Sequence, residues 1–513
     1  MTTSPSLDDT VHEAQVDLHT QHRVGAIDER IFSGFLEHMG RAVYEGVFDP
    51  GSPLSDERGF RRDVIDALAA LRMPMVRYPG GNFVSNYDWR DGVGPLDQRP
   101  RRPDFAWRSI ETNRFGTDEF MSWCQEVRTE PMMAVNLGTA GPKEAAELLE
   151  YCNLPTGTSI ADERAANGHP EPYKVKMWCL GNEMDAPWQA GHVSAATYAE
   201  RASAAGALMK GIDPTIETVA CGSSTNWLPT YPEWDRIIVE ECWNHIDYIS
   251  AHHYSRNDDD DTASFLGQGV ELDAIITQYR GLLDHVFALK RSFNRVHVSF
   301  DEWNVWYREM PTLGDFQEAP HLLEETYNLQ DALVCAQYLH AFLRHADVVK
   351  VACIAQIVNV IAPILTRPDG LLVQTIYWPF RMLRDAATGD ALRVAIRAPE
   401  MKTSRRGDIP VIDVAATFDD QTGTGSVSLV NRDANKPVDV QLRISDRVMT
   451  IASATVLHAH PKAQNDWDSP NTVAPTDLAV FSHDDGTLRF RLPAPAHAVL
   501  QLRTSPAGEG LSG

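Results

Sequence analysis

Two glutamates in this 513-residue chain stand at the ends of short apolar runs. Glu183 ends Met177-Trp178-Cys179-Leu180-Gly181-Asn182-Glu183, and Glu302 stands in Val298-Ser299-Phe300-Asp301-Glu302-Trp303-Asn304. One carboxyl after an apolar run serves equally well as a salt-bridge partner. Two of them, each beside an amide or a tryptophan, can divide proton transfer and nucleophilic attack between them, the chemistry of acetal cleavage in a sugar. Other polar residues close further runs: Glu37, Arg77 with Asn82, Asn136, Asn182, Ser223, His252 with Tyr254, Asp301, and Gln356 with Asn359. Amides, carboxylates and aromatic rings together suit a neutral, hydroxyl-rich ligand. Each hydroxyl needs a donor and an acceptor, and sugar C–H faces stack on rings. A nucleophile-elbow serine, a HExxH pair and a P-loop are all missing.

These residues need a scaffold that brings strand ends together. Apolar runs at 31–35, 74–78, 131–136, 175–180, 218–221, 248–251, 296–300 and 348–355 are rich in β-branched, aromatic or methionine side chains, and short enough to be buried strands. Helical patterns lie between them. Val64, Leu68 and Leu71 mark one face, and the segments 144–151, 195–209, 272–289 and 327–343 continue the alternation. Thr117 before Asp118 and Glu119 reads as a helix N-cap. Eight strand–helix units predict an α/β fold, a (β/α)8 TIM barrel over 31–385, whose site gathers at the C-terminal strand ends. A doubly wound open sheet is the weaker reading, because no glycine-rich phosphate fingerprint follows the first strand.

After residue 386 the pattern becomes short alternating strands with turn signals such as Asp484-Asp485-Gly486, so 386–505 is expected to be an antiparallel β-sandwich, jelly-roll-like. One of its strands is expected at 478–481. Residues 1–30 form a separate N-terminal segment, whose alternation at 14–18 is expected to add a strand to that sandwich, and 506–513 read as a frayed tail.

The formal charge of −25 argues against nucleic acid or an anionic membrane as partner. Residues 1–10 lack the basic and apolar regions of a secretory leader, and no apolar run approaches the ~18 residues of a membrane span. Seven scattered cysteines without a CxxC pair read as buried apolar groups in a reducing compartment, so the cytoplasm is the expected location. Four aspartates at 258–261 lack calcium-loop spacing and read as a solvated acidic loop. His252 and His253 have no metal-ligand spacing, and His252 is expected to hydrogen-bond in the cleft. Trp89, Trp107 and Trp188, in loops, are expected to line that cleft, and Trp178 to be core. No metal and no cofactor are expected.

Six motifs in order carry a resemblance: Gly34-Phe35-Leu36-Glu37-His38, Arg77-Tyr78-Pro79-Gly80-Gly81-Asn82-Phe83, Leu180-Gly181-Asn182-Glu183, Ser250-Ala251-His252-His253-Tyr254, Phe300-Asp301-Glu302-Trp303-Asn304-Val305-Trp306 and Ala355-Gln356-Ile357-Val358-Asn359. The chain resembles the α-L-arabinofuranosidases of glycoside hydrolase family 51, a retaining barrel clan with catalytic glutamates after strands four and seven. The resemblance implies Glu183 as general acid/base and Glu302 as nucleophile. It implies that Glu37, Asn82, Asn182, Tyr254 and Gln356 bind a terminal arabinofuranose and that Trp306 shapes recognition. It also implies exo-acting, retaining removal of non-reducing arabinofuranose from neutral arabino-oligosaccharides, and a homohexamer built as a trimer of dimers. Asn86 stands where a glycine is expected in many relatives, which bears on a loop beside the cleft. The alternatives are a β-xylosidase or endoglucanase of the same clan, and a catalytically silent carbohydrate-binding protein.

Overall fold

A computed structural model describes residues 11–309 and 314–506. The leader reading on residues 1–10 and the tail expected at 506–513 lie outside them, except Pro506, which ends the paired strand Ala496–Pro506 and is not frayed.

Eight parallel strands close into a barrel: Ser33–Phe35, Met75–Tyr78, Glu130–Val135, Met177–Leu180, Glu217–Ala220, Tyr248–Ser255, His297–Val305 and Val349–Ala355. The eighth pairs with the first, Cys353 opposite Ser33, which completes the circle. Strand residues such as Met177–Leu180 are buried throughout, as expected where side chains fill the barrel on one face and meet helices on the other. Helix Arg62–Leu71 buries Val64, Leu68 and Leu71, the stripe its spacing demands. Thr117 is the first residue of helix Thr117–Val127 rather than its cap: Gly116 takes the cap position and its N–H donates to the Glu119 carboxylate.

The sixth and seventh strands run past their apolar cores, to Ser255 and Val305. Their pairing slips once, Ser299 facing Ser250 but Glu302 facing His252. One extra residue therefore bulges from the seventh strand, and a bulge re-aims the side chains beyond it. Glu302 lies inside this extended strand, not past its end.

Helix Leu329–Arg344 has fifteen of sixteen residues buried because it lies between the barrel and a second unit. That unit is one ten-stranded sheet around its own apolar core, which includes Val16, Leu18, Val414, Leu429, Leu442 and Leu500. Strand His12–Ala26 sits well inside the sheet, antiparallel to Asp390–Arg397 and parallel to Val438–Ile444. The strand expected at 478–481 is instead two short pieces. Thr476–Asp477 pairs with Arg447–His458 at one edge of the sheet, and Phe481–Ser482 with Leu488–Leu492 at the other, so the run crosses between edges.

Candidate active site

The C-terminal ends of the strands open into a cleft of about 730 Å³ lined by Glu37, Asn82, Trp107, Glu183, Tyr254, Glu302, Trp306 and Gln356, among others. Beneath it lies the motif that starts inside the second strand, at Arg77. Arg77 is buried with its guanidinium 4.5 Å above the Phe35 ring. It donates through Nη1 to Glu302 Oε1 (2.8 Å) and through Nη2 to Asn182 Oδ1 (2.7 Å), and its Nε lies 3.4 Å from Asp301 Oδ2. One arginine thus fixes a carboxylate on the seventh strand and an amide in the loop after the fourth. The Asn182 amide is turned toward Asn82, 3.4 Å away.

Glu37 is held by three donors: the Phe83 N–H (3.0 Å) and Trp107 Nε1 (2.9 Å) on Oε1, and Gln356 Nε2 (3.1 Å) on Oε2. Gln356 returns the contact by accepting the Glu37 N–H. A Cβ at residue 81 would overlap the Glu37 carboxylate, which accounts for Gly81. Burial, and next the charge of Glu302, push the Glu37 carboxyl up to about 8.

Glu302 also accepts from the Tyr254 hydroxyl (3.0 Å on Oε2). Trp306 packs edge-on against Tyr254, its indole N–H tied to the Arg308 carbonyl. Glu183 stands two residues after Gly181, whose φ is +92°, and itself sits at φ +45°, a left-handed position that is uncommon for a side-chain-bearing residue. Its Oε2 accepts from Trp188 Nε1 (2.7 Å) and its Oε1 from His252 Nδ1 (2.9 Å).

Glu183, His252 and Glu302 bring ligand atoms within 4.8 Å of one another, near enough to surround a cation. The donor set does not favour one, because the Arg77 guanidinium already lies on Glu302 where a cation's charge would fall.

Several residues expected in the cleft from the sequence lie elsewhere. Trp89 is buried in a 3-10 turn, packed on Tyr151 (5.1 Å between rings) under the Arg90 guanidinium, and does not line the cleft. Trp107 and Trp188 do line it. Asn136 folds back on the Gly138 and Thr139 N–H groups, Ser223 donates to Asp235, and Asn359 donates to the Arg41 carbonyl. All three serve loop backbone or buried neighbours rather than the cleft. Asn86 is exposed at the end of the 3-10 turn Phe83–Asn86 and outside the left-handed region, so a side chain costs nothing there. All seven cysteines are free and buried.

The aspartates at 258–261 are paired, not merely solvated. Asp258 meets Arg256, Asp259 meets Arg405, Asp260 meets Lys462, and Asp261 accepts from the Ser264 N–H and the Ser404 hydroxyl. Trp227, which the apolar runs gave no reason to single out, lines the cleft beside Trp188, 6.1 Å between rings, with 72% of its surface exposed. Its only sequence signal is a tryptophan in the polar stretch after the fifth strand.

Residues 67–268 match the α-L-arabinofuranosidase 1 domain, and residues 301–495 the α-L-arabinofuranosidase C-terminal domain. An intracellular exo-α-(1→5)-L-arabinofuranosidase of Acetivibrio thermocellus is 41% identical, over 96% of this chain and 99% of that protein. An exo-α-(1→6)-L-arabinofuranosidase of Bifidobacterium longum is 40% identical, over 94% and 96%. A solved family 51 α-L-arabinofuranosidase from Bifidobacterium longum superposes with a TM-score of 0.93 at 38% identity, covering 96% of this chain and 100% of that one. The arabinose complex of the Thermotoga maritima α-L-arabinofuranosidase gives 0.83 at 34%, over 96% and 99%. One glutamate just past the fourth strand and one on the seventh, a shared fold and identity over nearly the full length agree: the chain belongs to the α-L-arabinofuranosidases of glycoside hydrolase family 51.

Proposed function

We propose that this exo-acting α-L-arabinofuranosidase removes terminal arabinofuranose from short neutral oligosaccharides by double displacement, with Glu302 as nucleophile and Glu183 as acid/base. The supporting observation is the unlike environment of two carboxyls whose oxygens approach within 4.8 Å. That spacing suits the ~5–5.5 Å of retaining enzymes better than the ~6.5–9.5 Å that leaves room for water in inverting ones. Burial lifts the Glu302 carboxyl above its ordinary range, His252 and Arg77 draw it back, and Glu183 adds to the lift. The ion pair with Arg77 and the Tyr254 hydrogen bond keep Glu302 ionised and aimed. Glu183 meets no arginine or lysine among the described residues, touches His252 and Trp188 instead, and faces the open Trp188–Trp227 side of the cleft.

In the first step Glu302 bonds to the anomeric carbon as the glycosidic bond breaks and the Glu183 proton passes to the leaving oxygen. In the second, water attacks that carbon, gives a proton to Glu183, and the Glu302 ester bond breaks. Asn182, its carbonyl fixed by Arg77, turns its amide to the sugar 2-hydroxyl, a contact that strengthens as positive charge develops on the ring. Glu37, Asn82 and Gln356 bind the remaining hydroxyls, and Tyr254 and Trp306 wall the ring. NMR of the first-formed arabinose should show the substrate's anomeric configuration. Inverted product overturns the mechanism.

Relatives named for (1→5) and for (1→6) linkages are almost equally identical to this chain, so a panel of linkage-defined arabino-oligosaccharides must decide the preference. The relatives' intracellular names support a cytoplasmic enzyme acting on imported oligosaccharides. No helix among the described residues is long and apolar enough to cross a membrane. We take 31–385 as the catalytic unit and 386–505 as the second unit, whose sheet strand His12–Ala26 of the N-terminal segment 1–30 joins. A homohexamer is the expected assembly, and light scattering at the single-chain 57.1 kDa would refute it.

A further inference from the structure

His252 occupies a place that the two-carboxyl scheme leaves without a task. It is buried on the sixth strand with its Nδ1 2.9 Å from Glu183 Oε1 and 3.5 Å from Glu302 Oε2. On its far side Nε2 lies 3.3 Å from Asp301 Oδ1, and Asp301 in turn meets Arg77. The other groups on the two carboxyls are not shared: Arg77 and Tyr254 touch Glu302 only, and Trp188 touches Glu183 only.

During the reaction one negative charge changes place. It begins on Glu302, disappears there when the ester forms, and reappears on Glu183 once its proton has gone to the leaving oxygen. We propose that His252, backed by Asp301, is a positioning residue that supplies one shared positive charge to whichever catalytic carboxyl is ionised. The ionisable groups facing it are Glu183 from the loop after the fourth strand, Asp301 and Glu302 from the seventh strand, and Arg77 from the second, with Glu37 beyond Glu302. Arg77 and His252 then balance Asp301 and the single mobile negative charge in the free enzyme and in the intermediate alike. A neutral sugar meets a neutral pocket at both stages, so no uncompensated charge has to be buried as the reaction proceeds. Burial works against a charged His252, but Glu302 and the contacts with Asp301 and Glu183 outweigh it and hold the imidazole well above its ordinary range.

This inference rests on the roles given to Glu183 and Glu302, and its test separates the two. Glu183 must release its proton for a sugar leaving group but not for nitrophenolate. His252→Ala should therefore lower kcat/KM about 100-fold on an arabino-disaccharide and less than about 10-fold on the 4-nitrophenyl arabinofuranoside. His252→Asn, which keeps an N–H without a charge, should fall between. Glu183→Ala runs beside them. If it shows no leaving-group dependence, the assigned roles are wrong. If it does while His252→Ala loses equally on both substrates, or loses nothing, the shared charge is refuted. Nitrogen NMR of labelled wild-type enzyme gives a readout independent of variant folding: both His252 ring nitrogens should be protonated at neutral pH, and a neutral ring overturns the proposal.

Discussion

The barrel mouth and the barrel–sandwich junction each bury arginine, aspartate and histidine, and use them in opposite ways. At the junction Asp413 accepts from Arg344 (3.0 Å) and Arg432 (2.9 Å) on one oxygen and from His340 (2.8 Å) on the other. His340 continues through Ser428 to His497. Burial opposes the Asp413 charge, but the two arginines outweigh it and hold the carboxyl far below its ordinary range. Burial keeps His340 and His497 neutral. At the mouth, carboxylates crowd one another instead, and Arg77 Nε, His252 Nε2 and Asp301 Oδ1 fall short of hydrogen-bond geometry. A network built to hold two units together saturates its carboxylate. One built to move a charge leaves its members competing.

Breaking each network should therefore fail differently. Glu302→Ala should cost ~10^4-fold or more in turnover on every substrate, with a urea midpoint little changed, because His252 can release its proton and leave Arg77 balanced by Asp301. Asp413→Ala should do the reverse: about 3–5 kcal/mol of stability lost, since buried Arg432 loses its carboxylate and the partly exposed Arg344 keeps only Asp273, with kcat/KM little changed where the enzyme is folded. Kinetics and urea unfolding on both variants check this. If Asp413→Ala cripples catalysis as well, the two networks are not separate.

The pH dependence of stability should have opposite signs at the two places. His340 and His497 are depressed in the folded state, so the unfolded chain binds more protons, and stability falls as pH drops below about 6.5. His497→Phe should flatten that acid limb, by up to ~1.4 kcal/mol per pH unit. Glu37, raised to about 8 from 4.5, binds the extra proton when folded, so its contribution is full below pH 4.5 and is lost as pH rises toward 8. Glu37→Gln should flatten that upper limb while impairing substrate binding. Unfolding midpoints from pH 5 to 8.5, taken as differences from wild type, isolate each slope.

The smallest effect belongs to the aspartates at 258–261, whose ion pairs with Arg405 and Lys462 are exposed. Arg405→Ala and Lys462→Ala should each cost about 0–1 kcal/mol, and the cost should vanish in 1 M salt, where screening acts within ~3 Å.

What the sequence disclosed followed from burial. Barrel strands are apolar on both faces, so their runs stand out, and Val64, Leu68 and Leu71 repeat at helical spacing. The glutamate pair was legible because a carboxyl after a buried strand is conspicuous. What stayed hidden depends on direction or distance. Trp89 and Trp107 share one connection, and only the local turn decides that one ring meets Tyr151 and the other Glu37. Asn136, Ser223 and Asn359 close strands as site residues do, but their short side chains find backbone or buried partners first. Asp259 meets a cation 146 residues away and Asp260 one 202 residues away, which no local pattern reveals. Nothing in Phe300-Asp301-Glu302 announces its bulge.

Strand His12–Ala26 has a consequence for the chain as it leaves the ribosome. Both its neighbours are late segments, and Arg23 donates to Asp390, 367 residues downstream. At ~5–20 residues per second the strand waits about 20–70 s for its first partner, long after the earliest barrel strands have emerged. Throughout that time it offers unpaired backbone and the apolar residues Ala14, Val16 and Leu18 to its surroundings. A nascent-chain binder that covers this strand until translation nears its end should therefore raise the yield of active enzyme. Relocating the strand to follow the C-terminal sheet by circular permutation should make such help unnecessary.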